Sequence, residues 1–129
     1  MCMEKETLAQ RKARRTVESE DFIIKWNCCI DKYGDIFVKA FYDNHRAKIQ
    51  VLNIIESIGY KSEIIVAYKL DMLISYCESN DDYLMYYLLL ALYYEKCQFI
   101  YESIYLYESL LMYGYSHSFI DERLKLLYK

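Results

Sequence analysis

Two histidines, five cysteines, sixteen tyrosines and one basic run are the residues of this 129-residue chain that could make a site. His45 stands two positions after Asp43 and beside Arg46, a trio that could move a proton or hold an anion. On a polar helix edge such a cluster is more simply solvated. His117 lies between Ser116 and Ser118 in an expected cap, where a structural role suits it better than catalysis. Neither histidine has a nucleophile at a spacing that fixes geometry, and glycine-rich phosphate loops, paired carboxylates and H-E-x-x-H are missing. No catalytic residue and no cofactor are therefore expected.

The cysteines (Cys2, Cys28, Cys29, Cys77 and Cys97) are odd in number and show no C-x-x-C spacing. Zinc ligands usually come in such pairs, so no metal site is expected. One of the vicinal pair Cys28–Cys29 should sit in the core, since a free thiol behaves as a small hydrophobe. Reduced thiols fit a cytoplasmic protein. The basic N-terminal residues are followed by no apolar stretch, so a signal peptide is not expected.

The basic run is Arg11, Lys12, Arg14 and Arg15, with no acid between Leu8 and Arg15. It could contact phosphate, act as a nuclear signal or meet an acidic partner. No aromatic interleaves it to stack bases, and Glu4, Glu6, Glu18 and Glu20 can balance it as a solvated helix face. Nucleic acid is the second choice of partner here, not the first. The formal charge of −3 also argues against nucleic acid covering the whole surface.

Twelve of the sixteen tyrosines lie between Tyr76 and Tyr128. A phenol joins a large apolar body to a polar tip, which serves cores and interfaces alike. Most of these rings are expected in the core. The candidate protein-binding face is Tyr93, Tyr101, Tyr105 and Tyr113.

These side chains must be positioned by helices. Apolar residues make up 55% of the chain, Pro is absent, and Gly occurs only at Gly34, Gly59 and Gly114. Sheets of this size consume many Gly and Pro turns, so an all-α domain is expected. Residues 1–18 read as a polar basic helix or tail, and residues 19–129 as one domain of about five to six helices, packed as antiparallel hairpins or a compact bundle. Ser19 is the expected N-cap of the first core helix, with Phe22, Ile23, Trp26, Cys29, Ile30 and Tyr33 inward and Gly34 as its stop. Asp35 opens the next helix, with Phe37, Val38, Phe41 and Tyr42 inward. The cluster from Asp43 to Arg46 either breaks or decorates that helix, and Ile49, Leu52, Ile55 and Ile58 continue its stripe. Ser62 opens a further helix, and Ser79–Asp82 is the clearest break. From Tyr83 to Tyr94 the chain is uncharged for twelve residues. That is short of the roughly 20 a membrane span needs, so it should be a central buried helix. Phe99–Tyr113 follows, closed by Gly114, and Ser116 or Ser118 caps a terminal helix.

Residues 84–117 resemble one tetratricopeptide repeat, a helix–turn–helix unit of about 34 residues. Tyr87, Leu90, Ala91 and Tyr94 match its first helix, and Ser103 and Tyr107 its second. Leu110 stands where Ala is usual and Tyr115 where Pro is usual. One repeat upstream, Glu56 and Lys69 depart from the pattern. The resemblance implies close helix approach at Ala91 and Ser103, with Tyr87, Tyr94 and Tyr107 filling the space beside them. It also implies a short solenoid, whose apolar end favours self-association. Together with the aromatic load, this leads to a small helical adaptor or inhibitor that binds another protein. A structural homo-oligomer is the remaining alternative. The Ile-, Lys- and Tyr-rich composition suggests an AT-rich genome and would suit a viral or phage protein acting on a host factor.

Overall fold

The computed structural model describes residues 7–41, 44–59 and 62–129, and their side chains except at 13–19 and 37. Cys2, Asp43 and Tyr42, and the side chains of Arg14, Arg15 and Phe37, lie outside the described residues.

The first helix, α1 (Leu8–Tyr33), begins with a reciprocal cap. Gln10 N–H donates to Thr7 Oγ1 (3.1 Å), and Thr7 N–H donates to Gln10 Oε1 (2.9 Å). The helix then runs through position 19 without a break, so Ser19 is not an N-cap. Residues 8–18 hold no Gly or Pro to stop propagation. Trp26, Cys29 and Tyr33 are buried and Phe22 and Ile30 half-buried, whereas Ile23 is exposed one position off that face. Gly34 ends the helix at φ +101°, and a Cβ there would come within 2.9 Å of the Tyr115 hydroxyl. Only glycine fits both constraints.

The Asp35 carbonyl accepts from Val38 N–H (2.9 Å) at the start of the short α2 (Ile36–Ala40). Phe41 is buried there, but Val38 is exposed. Asn44 then starts a separate helix, α3 (His45–Ser57), by accepting from Ala47 N–H (3.0 Å). That break raises the described count to seven helices rather than five or six. The inner face of α3 is Ala47, Val51 and Ile54, spaced i, i+4, i+7, which leaves Ile49 exposed.

Ser62 caps α4 (Glu63–Ile74), whose Val66, Leu70 and Leu73 are buried while Ile65, Tyr68 and Ile74 face outward. A second capping box opens α5 (Asn80–Lys96). There Asp82 accepts from the N–H groups of Glu78 (2.8 Å) and Ser79 (3.1 Å). Helix α6 (Ile100–Met112) and α7 (Ser118–Leu127) complete the chain. The described residues contain no strand.

Helix α5 packs against α2, α4 and α6, as a helix apolar on several sides must. Its Met85, Leu88, Leu89 and Ala91 are fully buried. The most extensive contact is between α5 and α6, where Ser103 Oγ donates to the Ala91 carbonyl (2.9 Å). Upstream, Lys69 donates to Ser57 Oγ (2.7 Å) and Glu56 pairs with Lys25 (2.9 Å), so these departures from the repeat pattern are polar ties.

Helix α5 ends without glycine. Gln98 adopts φ +66°, with Phe99 N–H donating to the Tyr94 carbonyl (2.9 Å) and Gln98 N–H to that of Glu95 (3.2 Å). This is the Schellman closure, and a side chain in it costs roughly 1–2 kcal/mol. Gln98→Gly is therefore expected to raise stability by about 1 kcal/mol, read as a higher urea midpoint at unchanged slope. An unchanged or lower midpoint would refute it.

A tyrosine-lined groove between two helices

Helix α6 carries its residues on two faces. Ser103, Tyr107 and Leu110 point into the core and are fully buried. Tyr101, Tyr105, Glu108 and Met112, spaced i, i+4, i+7, i+11, form one exposed stripe. Tyr101 is 86% and Met112 88% exposed, unusual for side chains this apolar. Helix α5 presents a matching edge, on which Tyr83 and Tyr87 are also exposed.

Between the two edges lies a groove of about 170 Å³. Tyr87, Tyr105 and Tyr113 stand over Leu84, Leu106 and Leu110. It continues past Leu84 and Tyr87 toward the start of α5, where Asn80, Asp81 and Tyr83 border it. The Tyr86 ring meets Tyr87 edge-on (5.7 Å between centroids).

Of the four tyrosines expected to form a face, Tyr101, Tyr105 and Tyr113 share this side of the hairpin. Tyr93 does not. It lines a different cleft with Gly59, Glu63 and Lys96, where its hydroxyl donates to the Glu63 carbonyl (3.3 Å). Burial, then the neighbouring Cys97 thiol, pushes that phenol up to about 12. Tyr83 and Tyr87 join the groove instead, although nothing in their own sequence context separates them from buried neighbours such as Leu88. Of the twelve tyrosines from Tyr76 onward, six are exposed (83, 87, 101, 105, 113 and 128), so the core takes fewer rings than expected. Tyr87 is one of these, lining the groove and 39% exposed.

The remaining candidates are dispersed. His45 is exposed with its ring edge-on to Phe22 (4.7 Å). His117 is itself the N-cap of α7, its Nδ1 accepting from Phe119 N–H (3.1 Å), in place of Ser116 or Ser118. Cys29 is buried and Cys28 exposed. Burial pushes the Cys29 and Cys77 thiols up to about 11 each, so both are protonated at neutral pH. Arg11 and Lys12 are exposed near the start of α1. Among the described residues no three His, Cys, Asp or Glu side chains are grouped to hold a metal. Among the same residues no helix is long and apolar enough to cross a membrane.

One polar network was missed by sequence reasoning. Glu95 on α5 accepts from the Tyr107 hydroxyl (2.9 Å) and from Arg123 Nε (3.2 Å), while Arg123 Nη2 meets its other oxygen. A bidentate guanidinium–carboxylate pair thus ties three helices together. Its members are 12 and 28 residues apart, so no local spacing announces it.

No family model, curated protein or solved structure matches the chain. Residues 84–117, whose sequence resembles a tetratricopeptide repeat, fall on most of α5, on α6 and on the turn that follows it.

Proposed function

We propose that the chain is a non-enzymatic helical module that binds another protein through the groove between α5 and α6. The observation that carries this reading is the exposure of Tyr87, Tyr105 and Tyr113 around one apolar cleft, with exposed Tyr101 one turn before Tyr105 on α6. Exposed aromatics lose little rotamer entropy on binding and bury much area, which is why they dominate interface energetics. The helices that display them are rigidly held by the Ala91–Ser103 contact and the Glu95–Arg123 pair. A preordered face reduces the entropic cost of docking. The adaptor or inhibitor role belongs to the same proposal.

Site-specific photo-crosslinking tests it. A benzophenone side chain placed at Tyr105 is expected to yield one discrete protein adduct in the cells that express the chain, identifiable by mass spectrometry. The same group at exposed Asp31 on α1 should yield none. Adding Tyr113→Ala is expected to weaken the adduct at least about fivefold, since a central aromatic contributes roughly 1–2 kcal/mol or more. The helical circular dichroism should be unchanged, Tyr113 being exposed. Equal labelling at positions 105 and 31, or none at either, would count against the groove as the binding site.

A further inference from the structure

We infer that the groove receives a lysine- or arginine-bearing amphipathic segment of another protein. This rests on the groove being a protein-binding site and adds the chemistry of its occupant. Helices α5 and α6 together carry five acids (Asp81, Asp82, Glu95, Glu102, Glu108) and one base, Lys96. Two of the acids are already engaged. Asp82 caps α5, and Glu95 is held by Arg123. Asp81, Glu102 and Glu108 remain exposed. Asp81 borders the groove, and Glu108 sits within the stripe of Tyr101, Tyr105 and Met112.

The single base is elsewhere. Lys96 lines the cleft of Tyr93 and Glu63, and its Cε lies 3.5 Å from where a Cβ on Gly59 would be. The tyrosine face is therefore aromatic and negative, with no base of its own on either helix to offset it. Ring faces and carboxylates attract the same ligand group: a guanidinium or ammonium whose aliphatic stem lies on apolar surface. The leucines beneath the rings call for apolar residues between the cations, the pattern of an amphipathic helix in a groove.

The same charges disfavour other occupants. A second copy placed face to face would oppose Glu108 and Asp81 to like charges with no base to pair them. Nucleic acid and anionic lipid headgroups would be repelled for the same reason. A second copy could reach the groove through an exposed basic surface of its own, of which the run at Arg11 and Lys12 is the densest, and the experiment separates that case.

Calorimetric titration uses the full chain and two synthetic helical peptides of about sixteen residues. Both have a leucine stripe; one is flanked by arginines and the other by glutamates. The arginine peptide is expected to bind and the glutamate peptide to give no heat. Affinity should fall at least about tenfold on raising salt from about 0.05 to about 0.5 M. A drop of at least about tenfold is also expected in the Asp81→Lys/Glu108→Lys double variant and in Tyr105→Ala, all exposed positions that leave the circular dichroism unchanged.

Equal binding of both peptides overturns the charge inference and leaves the groove reading standing. No binding of the arginine peptide, by a chain that still forms the adduct at position 105, overturns this inference alone. Absence of both adduct and peptide binding overturns the two together. Arginine-peptide binding that survives the variants places the attraction elsewhere and also overturns it. So does salt-sensitive self-association in sedimentation that disappears in Arg11→Glu/Lys12→Glu, because the occupant is then a second copy.

Discussion

Replacing Tyr107 with alanine is expected to remove about 3–5 kcal/mol of stability, a large part of the roughly 5–15 kcal/mol typical of a domain. The ring is fully buried between α5 and α6, next to the Ala91–Ser103 contact that holds the helices close. Backbones already pinned at that contact cannot collapse far into the space a ring leaves, so a cavity persists. The phenol also donates to Glu95 (2.9 Å), and burial raises it above its ordinary range, so it remains a donor throughout the working pH range. Tyr107→Phe keeps the ring and loses only this bond to a carboxylate, at a cost of about 1.5–3 kcal/mol. Urea unfolding monitored by helical circular dichroism measures both. A loss below about 1 kcal/mol for the alanine variant would show that the hairpin does not depend on this ring.

Arg123→Ala is the second large effect, at roughly 2–4 kcal/mol. The Glu95 side chain is only 12% exposed, so removing its guanidinium strands a nearly buried carboxylate with the Tyr107 hydroxyl as its remaining donor. Glu95→Ala should cost somewhat less, because Arg123, 33% exposed, can turn its charge toward water. The double variant is expected to fall short of the sum by about 1–2 kcal/mol, the coupling energy of the pair. Additive losses would mean that the two side chains act independently. The burial of the carboxylate also predicts weak salt dependence, unlike the surface pairs of Lys25. Because the pair anchors α7 to α5, its loss should loosen the C-terminal helix first.

What could be read before folding was considered is what short-range physics decides. The stops at Gly34 and Gly114 follow from backbone conformation alone, since both adopt positive φ, and the cap at Ser79–Asp82 from side chains reaching their own backbone. The all-helical class follows from the missing turn residues, and the central place of α5 from its uncharged run. Where a local signal was over-read, as at Ser19, a helix without a breaker simply continued. Where one was absent, as at Gln98, the chain still closed the helix at positive φ, on a residue that does not favour it.

The candidate site was only half legible for the same reason. Tyr93 and Tyr101 look alike along the chain, yet one hydroxyl meets the Glu63 carbonyl 30 residues away and the other ring is exposed. A tyrosine has no intrinsic preference strong enough to choose. Its exposure is set by which helix crosses above it, and that is a contact between segments distant in sequence. By itself the sequence determined that this protein is a set of helices with a load of aromatic rings too large to ignore. Only the tertiary structure decided that Tyr83 and Tyr87 share a groove with Tyr105 and Tyr113, and that Tyr93 turns away. Caps and periodicity act over one or two turns, whereas a groove exists only once two helices lie side by side.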